Sequence, residues 1–306
     1  EYFLYSIEKE LIKISKTKKI KIYSILGDVR NYTFLNEIFS KYKPNTVYHS
    51  AAYKHVPLVE NNICQGVDVN VFGSINCVKA AITNQVEILV FISTDKAVRP
   101  TNVMGASKSM AEKVVLEYST QNHKTKISIV RFGNVIGSSG SVIPLFKEQI
   151  KNGGPLTVTH KNITRFFMTI PEAVELVIQA GALGVLGGDI FVLDMGNPVK
   201  IDYLAKKMIN LSGMKLKNKK NPTGDISIKY IGLRPGEKMY EELYVDNMIN
   251  KTSHPRIYIS REKFSKIVSF KNILKSTEKG IQTNNSEVVL VNLSLCVKDF
   301  KRVKNH

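Results

Sequence analysis

Apolar residues recur along this chain in two rhythms, a helical one of about 3.6 residues and short unbroken runs. Phe3, Ile7, Leu11 and Ile14 fall at helical spacing, so residues 1–15 predict an amphipathic helix. The run Ile20–Leu26 predicts a strand, closed by Gly27 and Asp28. Asn31 then caps a second helix, which runs to Tyr42 and carries Phe34, Leu35, Ile38 and Phe39. Strands follow at Thr46–Ser50, Ile88–Ile92 and Ile127–Phe132. Between them, Val67, Val71, Ile75 and Val78 stripe a helix over Cys64–Asn84, and Met104 and Lys108 head another. Repeated strand–helix alternation predicts a parallel sheet with crossover helices, an α/β doubly wound fold.

After Gly140 the texture changes, because Gly and Pro punctuate more often. Helices are predicted at Leu145–Lys151, Pro171–Leu183 and Ile201–Ser212, interrupted by a buried strand at Ile190–Leu193. A soft boundary near Ser139 separates a first domain, 1–138, from a smaller α/β region, 139–306, whose strand 189–195 returns to the main sheet. The tail from Asn272 is less patterned, with a strand-like run at Val288–Leu293.

The buried run Ile88–Ile92 ends in Ser93, Thr94, Asp95 and Lys96, four groups that donate, accept or carry protons. In open α/β sheets, ligands bind outside the carboxyl ends of the strands. Met104 and Lys108 stand four apart at the head of the following helix, so they share a face that can point back at this cluster. This stretch is the predicted chemical centre.

The 306 residues include 44 Lys and Arg against 26 Asp and Glu, a formal net charge of +18. Such a balance suits an anionic partner, yet the lysines are scattered and no RNP or zinc-finger motif accompanies them, which argues against nucleic acid. A Lys-, Ile- and Asn-heavy composition accounts for the charge, which also favours a negatively charged small substrate. Cys64, Cys77 and Cys296 form neither a CxxC nor a disulfide framework. His49, His55, His160 and His254 lack metal-ligand spacing. No apolar run approaches the roughly 20 residues of a membrane-spanning helix.

Six blocks now carry a family resemblance: YHSAAYKHVPLVE, NVFGS, FISTDKAVRPTNVMGASKSMAE, VRFGNVIGSSGSVIPLF, TRFFMTIPEA and GLRPGEKMYEEL. In this order they resemble the extended short-chain dehydrogenase/reductases, and within them the CapD-like UDP-N-acetylglucosamine 4,6-dehydratases of capsule and lipopolysaccharide synthesis. The resemblance implies a Rossmann-type sheet, NAD (or NADP) bound tightly and recycled, a UDP-sugar substrate and a homo-oligomer. It also implies a cytoplasmic location, or the cytoplasmic face of the inner membrane for a longer, membrane-anchored parent. The usual catalytic Tyr-x-x-x-Lys reads Met104-x-x-x-Lys108, as in the larger, membrane-anchored branch. A G-x-G-x-x-G phosphate loop after a strand is absent. The chain is accordingly expected to be an N-terminally truncated fragment lacking the first two strands of the sheet, which leaves Ile20–Leu26 without a neighbour.

What the resemblance implies for single residues follows the reaction: oxidation at C4, loss of water across C5 and C6, return of hydride to C6. Lys108 acts at the C4 hydroxyl, with Ser93 or Thr94 bonding the same group and Met104 given a positional role. Asp95 is the acid for the C6 hydroxyl and Lys96 the base or electrostatic partner at C5. For the cofactor, Asp28 resembles an acceptor for the adenine amino group, though it also reads as a turn former after Gly27. Ala51 and Ala52 allow close approach to a ribose, Lys54 touches ribose or sugar, and Asn70 kinks its helix and holds Lys108 through water. For the nucleotide-sugar, Asn134, Arg165 and Arg234 face the diphosphate and Glu237 the uridine ribose. A 4-epimerase, which keeps tyrosine where Met104 stands, and a catalytically incompetent fragment are the competing readings.

Overall fold

The computed structural model describes residues 1–184, 187–245, 248–262 and 270–303. Its centre is a six-stranded sheet built from β1 (Thr46–His49), β2 (Ile88–Ile92), β3 (Lys126–Arg131), β4 (Asp189–Leu193), β5 (Ile249–Lys251) and β6 (Ile257–Ser260), in the order β1-β2-β3-β4-β6-β5. The first four strands run parallel, and β6 and β5 add on antiparallel. The fold is therefore α/β and doubly wound, with a mixed rather than wholly parallel sheet.

Successive side chains on a strand face opposite sides, and β2 feeds two cores in this way. Leu89 and Phe91 enter the larger apolar cluster, with Ile127 and Ile129 of β3. Val90 and Val130 enter the second, against Ala173, Leu176, Val177 and Ala180. After the N-terminal helices α1 (Tyr2–Lys18) and α2 (Tyr32–Tyr42), the helices α3 (Val56–Asn61), α4 (Ile63–Val67), α5 (Gly73–Thr83) and α6 (Val103–Ser119) cover the larger cluster. Leucine, valine and cysteine of a C-terminal helix, Val289, Leu293 and Cys296, close the same cluster. A third, smaller core joins Phe146 and Ile150 to Ile201, Ala205, Ile209 and the paired strands Leu156–Val158 and Ile228–Tyr230.

Between α4 and α5 the helix is wound one residue looser, as a π-helical turn over Asp68–Phe72. Such turns are rare and cluster at functional sites. The predicted helix Cys64–Asn84 is thus continuous but carries this inserted turn near its start.

Two predicted strands are not formed. Ile20–Leu26 makes no ladder among the described residues, and Ile20, Tyr23 and Leu26 are exposed. A strand exists through its hydrogen-bonded neighbour, and none lies beside this segment; β1 itself forms one edge of the sheet. Val288–Leu293 is instead part of a helix, Ser286–Cys296, whose N-cap Asn285 accepts a hydrogen bond from the Val288 amide at 3.2 Å. Its β-branched residues imitate a strand, but Val289, Leu293 and Cys296 recur at helical spacing and are the ones buried. The helix Phe270–Gln282 precedes it and packs along it.

Candidate active site

The chain leaves β2 at Ser93 and is held to the continuation of β3: Ser93 N donates to the Val130 carbonyl at 2.8 Å and Asp95 N to the Phe132 carbonyl at 3.1 Å. A single 3₁₀ turn, Asp95–Ala97, follows, capped by the Thr94 side chain. The first turn of α6 rests directly on this turn. It can do so because residue 105 is glycine; a Cβ there would overlap the Lys96 carbonyl oxygen. Asn102 caps α6 through the Gly105 amide and also donates to the Gly236 carbonyl, fastening the 232–243 loop over the site. Lys238 adds a second tie, from its ammonium to the Val98 carbonyl at 2.9 Å.

Within this frame Asp95 is fully buried. Its Oδ1 accepts from Thr94 Oγ1 and Lys96 Nζ, each at 2.9 Å, while Oδ2 has no partner among the described residues. Lys96 Nζ also reaches Asn134 Oδ1 at 3.3 Å and stands 3.8 Å from Glu241. Burial alone would lower the Lys96 ammonium, but neighbouring negative charge, that of Asp95 first, outweighs it and holds the group above its ordinary range. Arg165 comes next in the same cluster, 3.0 Å from Glu237 and 3.7 Å from Glu241.

Lys108 points from α6 to the end of β2, where its Nζ donates to the Ile92 carbonyl at 2.7 Å and lies 3.9 Å from the centre of the Phe91 ring. Burial pushes this ammonium down to about 7, with Glu112 acting weakly in the opposite direction. An amine with that value divides its population between base and acid near neutral pH. Buried His49 hydrogen-bonds Ser74 and is pushed down to about 3, by its burial first and by the neighbouring Lys108 second.

The other predicted residues fall into three situations. Asn70, inside the π-helical turn, binds both backbone groups of Tyr53 and donates to Ser107 at 2.9 Å, so its direct partner is the neighbour of Lys108. Ser93 is buried and donates to Glu112 Oε1 at 2.5 Å, which commits its proton away from the Asp95 cluster. Met104 sits in the large apolar cluster. Ala51, Lys54 and Arg234 are exposed and Ala52 is half-buried; Arg234 offers its amide to Glu237. Asp28 is exposed and bound by Arg30, whose amide and guanidinium both reach it, so here it forms a turn.

Two groups went unnoticed in the sequence. Glu112 and Arg131 form a buried two-point pair, at 2.8 Å for both bonds, that anchors Ser93 from behind. The signal was present, since Glu112 stands four residues after Lys108 on one helix. Glu241 is the other, four residues after Glu237 in a block with three glutamates. Beside the cluster, on the α8 side (Ile170–Leu183), lies an apolar cavity of about 410 Å³ lined by Tyr48, Ser50, Ile92, Phe132, Val135 and Val174.

Residues 1–262 match the family described as "Polysaccharide biosynthesis protein". The chain belongs to this family. It is 52% identical over 250 residues to the capsular polysaccharide biosynthesis protein CapD of Staphylococcus aureus, across 82% of this chain but 40% of that protein. The chain therefore spans less than half the length of that polysaccharide biosynthesis relative. A UDP-glucose 4-epimerase of Rickettsia rickettsii is 40% identical over 243 residues, 78% of this chain and 66% of the epimerase. Among solved structures, Pen from Bacillus thuringiensis superposes with a TM-score of 0.72 at 35% identity, covering 86% of this chain and 78% of that one. DesIV of Streptomyces venezuelae, a dTDP-glucose 4,6-dehydratase solved with NAD, shares the fold alone, with a TM-score of 0.61 at 19% identity over 71% and 69% of the two chains. By sequence the chain is thus similar both to a capsular polysaccharide biosynthesis protein and to a UDP-glucose 4-epimerase. Among the described residues, no helix is long and apolar enough to cross a membrane, and no cluster of His, Cys, Asp and Glu has the makings of a metal site.

Proposed function

We propose that this chain carries the proton-transfer machinery of an NAD(P)-dependent nucleotide-sugar 4,6-dehydratase acting on a UDP-N-acetylglucosamine-type substrate. The observation that carries the reading is the contact at the end of β2 between buried Asp95 and half-buried Lys96, with the desolvated Lys108 bonded to the last carbonyl of the same strand. Loss of water across C5 and C6 needs one group to take a proton from C5 and another to give one to the C6 hydroxyl. A neutral amine and a protonated carboxyl in contact perform both transfers and end as an ammonium–carboxylate pair; Lys96 and Asp95 put the two groups 2.9 Å apart. Passage of one proton along their 2.9 Å bond resets them. A 4-epimerase has no use for such a pair, although the rickettsial relatives keep that reading as the alternative.

The cofactor is tested against the residues present. NAD(P), when bound, takes up a hydride and returns it. The nicotinamide end of its site fits: Lys108 has one carbonyl partner and two further N–H groups, and the apolar cavity opens at the same strand ends. Lys108, Ala51, Ala52 and Lys54 are the residues that would hold that end, with Asn70 behind them on Tyr53 and Ser107. The pyrophosphate end does not fit, because the sequence holds no Gly-rich strand-to-helix turn. Polypeptide paired with the free edge of β1 would supply it.

Arg165, Asn134 and Glu237 lie around Lys96 and suit a diphosphate and a ribose, with Arg234 at the rim. The test is incubation of UDP-N-acetylglucosamine with the chain and NAD⁺, alone and joined to a Gly-rich strand–helix segment. A 4-keto-6-deoxy product supports the dehydratase and its loss in D95N supports the assignment; a galacto epimer from the joined protein sinks it.

A further inference from the structure

Glu241 is the carboxylate of the Lys96 cluster that is left with long contacts alone. Asp95, Glu237 and Glu241 face Lys96 and Arg165. Lys96 spends its short bond on Asp95 at 2.9 Å, and Arg165 spends its own on Glu237 at 3.0 Å. Glu241 is left with two long contacts, 3.8 Å to Lys96 and 3.7 Å to Arg165. Lys238 bonds the Val98 carbonyl and lies 4.0 Å from Glu242, whose other oxygen pairs with Arg99 at 3.1 Å. The Glu241 side chain is 4% exposed, and its Oε2 has no partner among the described residues. An ionised carboxylate with one orphaned oxygen is among the costliest groups to bury, and taking up a proton removes most of that cost.

We propose that Glu241 holds a proton at neutral pH and acts as a positioning residue for the Asp95–Lys96 pair. The inference rests on the dehydratase reading for its purpose but not for its evidence. A neutral Glu241 leaves Lys96 and Asp95 as a one-to-one pair that can pass its proton internally. An ionised Glu241 adds a second negative charge beside Lys96, fixes it as an ammonium and removes the free amine that takes the C5 proton. The direction of the Glu241 equilibrium agrees: burial first and the Asp95 charge next raise it, against the pull of Lys96, Arg165 and Lys238.

The test begins with the chain itself, without cofactor or sugar. Glutamate carrying ¹³C in its side-chain carboxyl is incorporated, and the Glu241 signal is assigned by its loss in E241Q. At pH 7 the signal of a protonated carboxyl is expected; the signal of an ionised carboxylate at that pH overturns the proposal. In the enzyme completed with a Gly-rich segment, E241Q, which mimics the protonated acid, is expected to lose less rate at pH 7 than E241A and to lose the fall in rate on the alkaline side. E241A lets the pair shift and loses about 10²-fold. Equal losses in E241Q and E241A, or an unchanged alkaline fall in E241Q, also overturn it. If neither protein forms a 4-keto-6-deoxy product, the dehydratase reading fails while the carboxyl signal still decides the state of Glu241.

Discussion

Two helices of this chain, α6 and the N-terminal helix Tyr2–Lys18, are each 17 residues long, and both show apolar residues at helical spacing. Twelve residues of α6 are buried, whereas the N-terminal helix buries none. Phe3 remains 73% exposed and Ile7 51%. The difference lies in the sheet beneath them. α6 lies against β3 and its neighbouring helices, and contributes Met110 and Val114 to the main cluster. The N-terminal helix leads instead into the unpaired segment 20–28, beyond the free edge of β1. Periodicity specifies which face of a helix wants burial; only a neighbour decides whether it is buried.

This contrast can be broken experimentally, beginning where the effect is largest. Removing the Glu112 carboxylate in E112A takes two of the three short carboxylate bonds from buried Arg131, leaving it Glu262 alone, and is expected to cost about 3–5 kcal/mol in urea unfolding. If it costs less than about 1 kcal/mol, the pair does not organise the strand-end region. Met110→Ala on α6 removes a fully buried side chain and should cost about 2–5 kcal/mol by the same measurement.

Acid should act through His49. Its value falls from 6.5 unfolded to about 3 folded, so the unfolded chain binds the extra proton between those values. Stability from this residue is complete above 6.5 and declines as pH falls, by about 1.4 kcal/mol per unit. H49Q should flatten that decline in unfolding curves taken from pH 7 to pH 4; an unchanged slope would count against the buried neutral imidazole. The smallest effect belongs to the N-terminal helix, where Ile7→Ala should change unfolding by no more than about 0.5 kcal/mol. A large loss there would mean that this helix has a partner after all.

The sequence resolved the site's backbone better than its wiring. Ile88–Ile92 is a strand over the predicted residues, since a short unbroken apolar run between polar ends can be buried on both faces. Asp95 and Lys96 pair at the end of this strand and Lys108 reaches the Ile92 carbonyl there, because a strand end and the first turns of the next helix are adjacent by topology. What pairs with what was not legible. Ser93 gives its proton to Glu112, nineteen residues away, and Lys96 stands between Asp95 and Glu241 from a distant loop. These partners follow from how loops close over the strand ends, and residue spacing carries no record of that. Ile20–Leu26 failed for a related reason: its composition suits a strand, but pairing belongs to the neighbour.

The π-helical turn at Asp68–Phe72 has a consequence for how this molecule could be altered. Such a turn is a one-residue insertion in an otherwise regular helix. Deleting a single residue within it would restore ordinary winding and rotate Asn70 off Tyr53 and Ser107. The shortened protein would own a better helix and a worse site. A deletion that raises the melting temperature while loosening the setting of Lys108 would show that regularity was given up here for function.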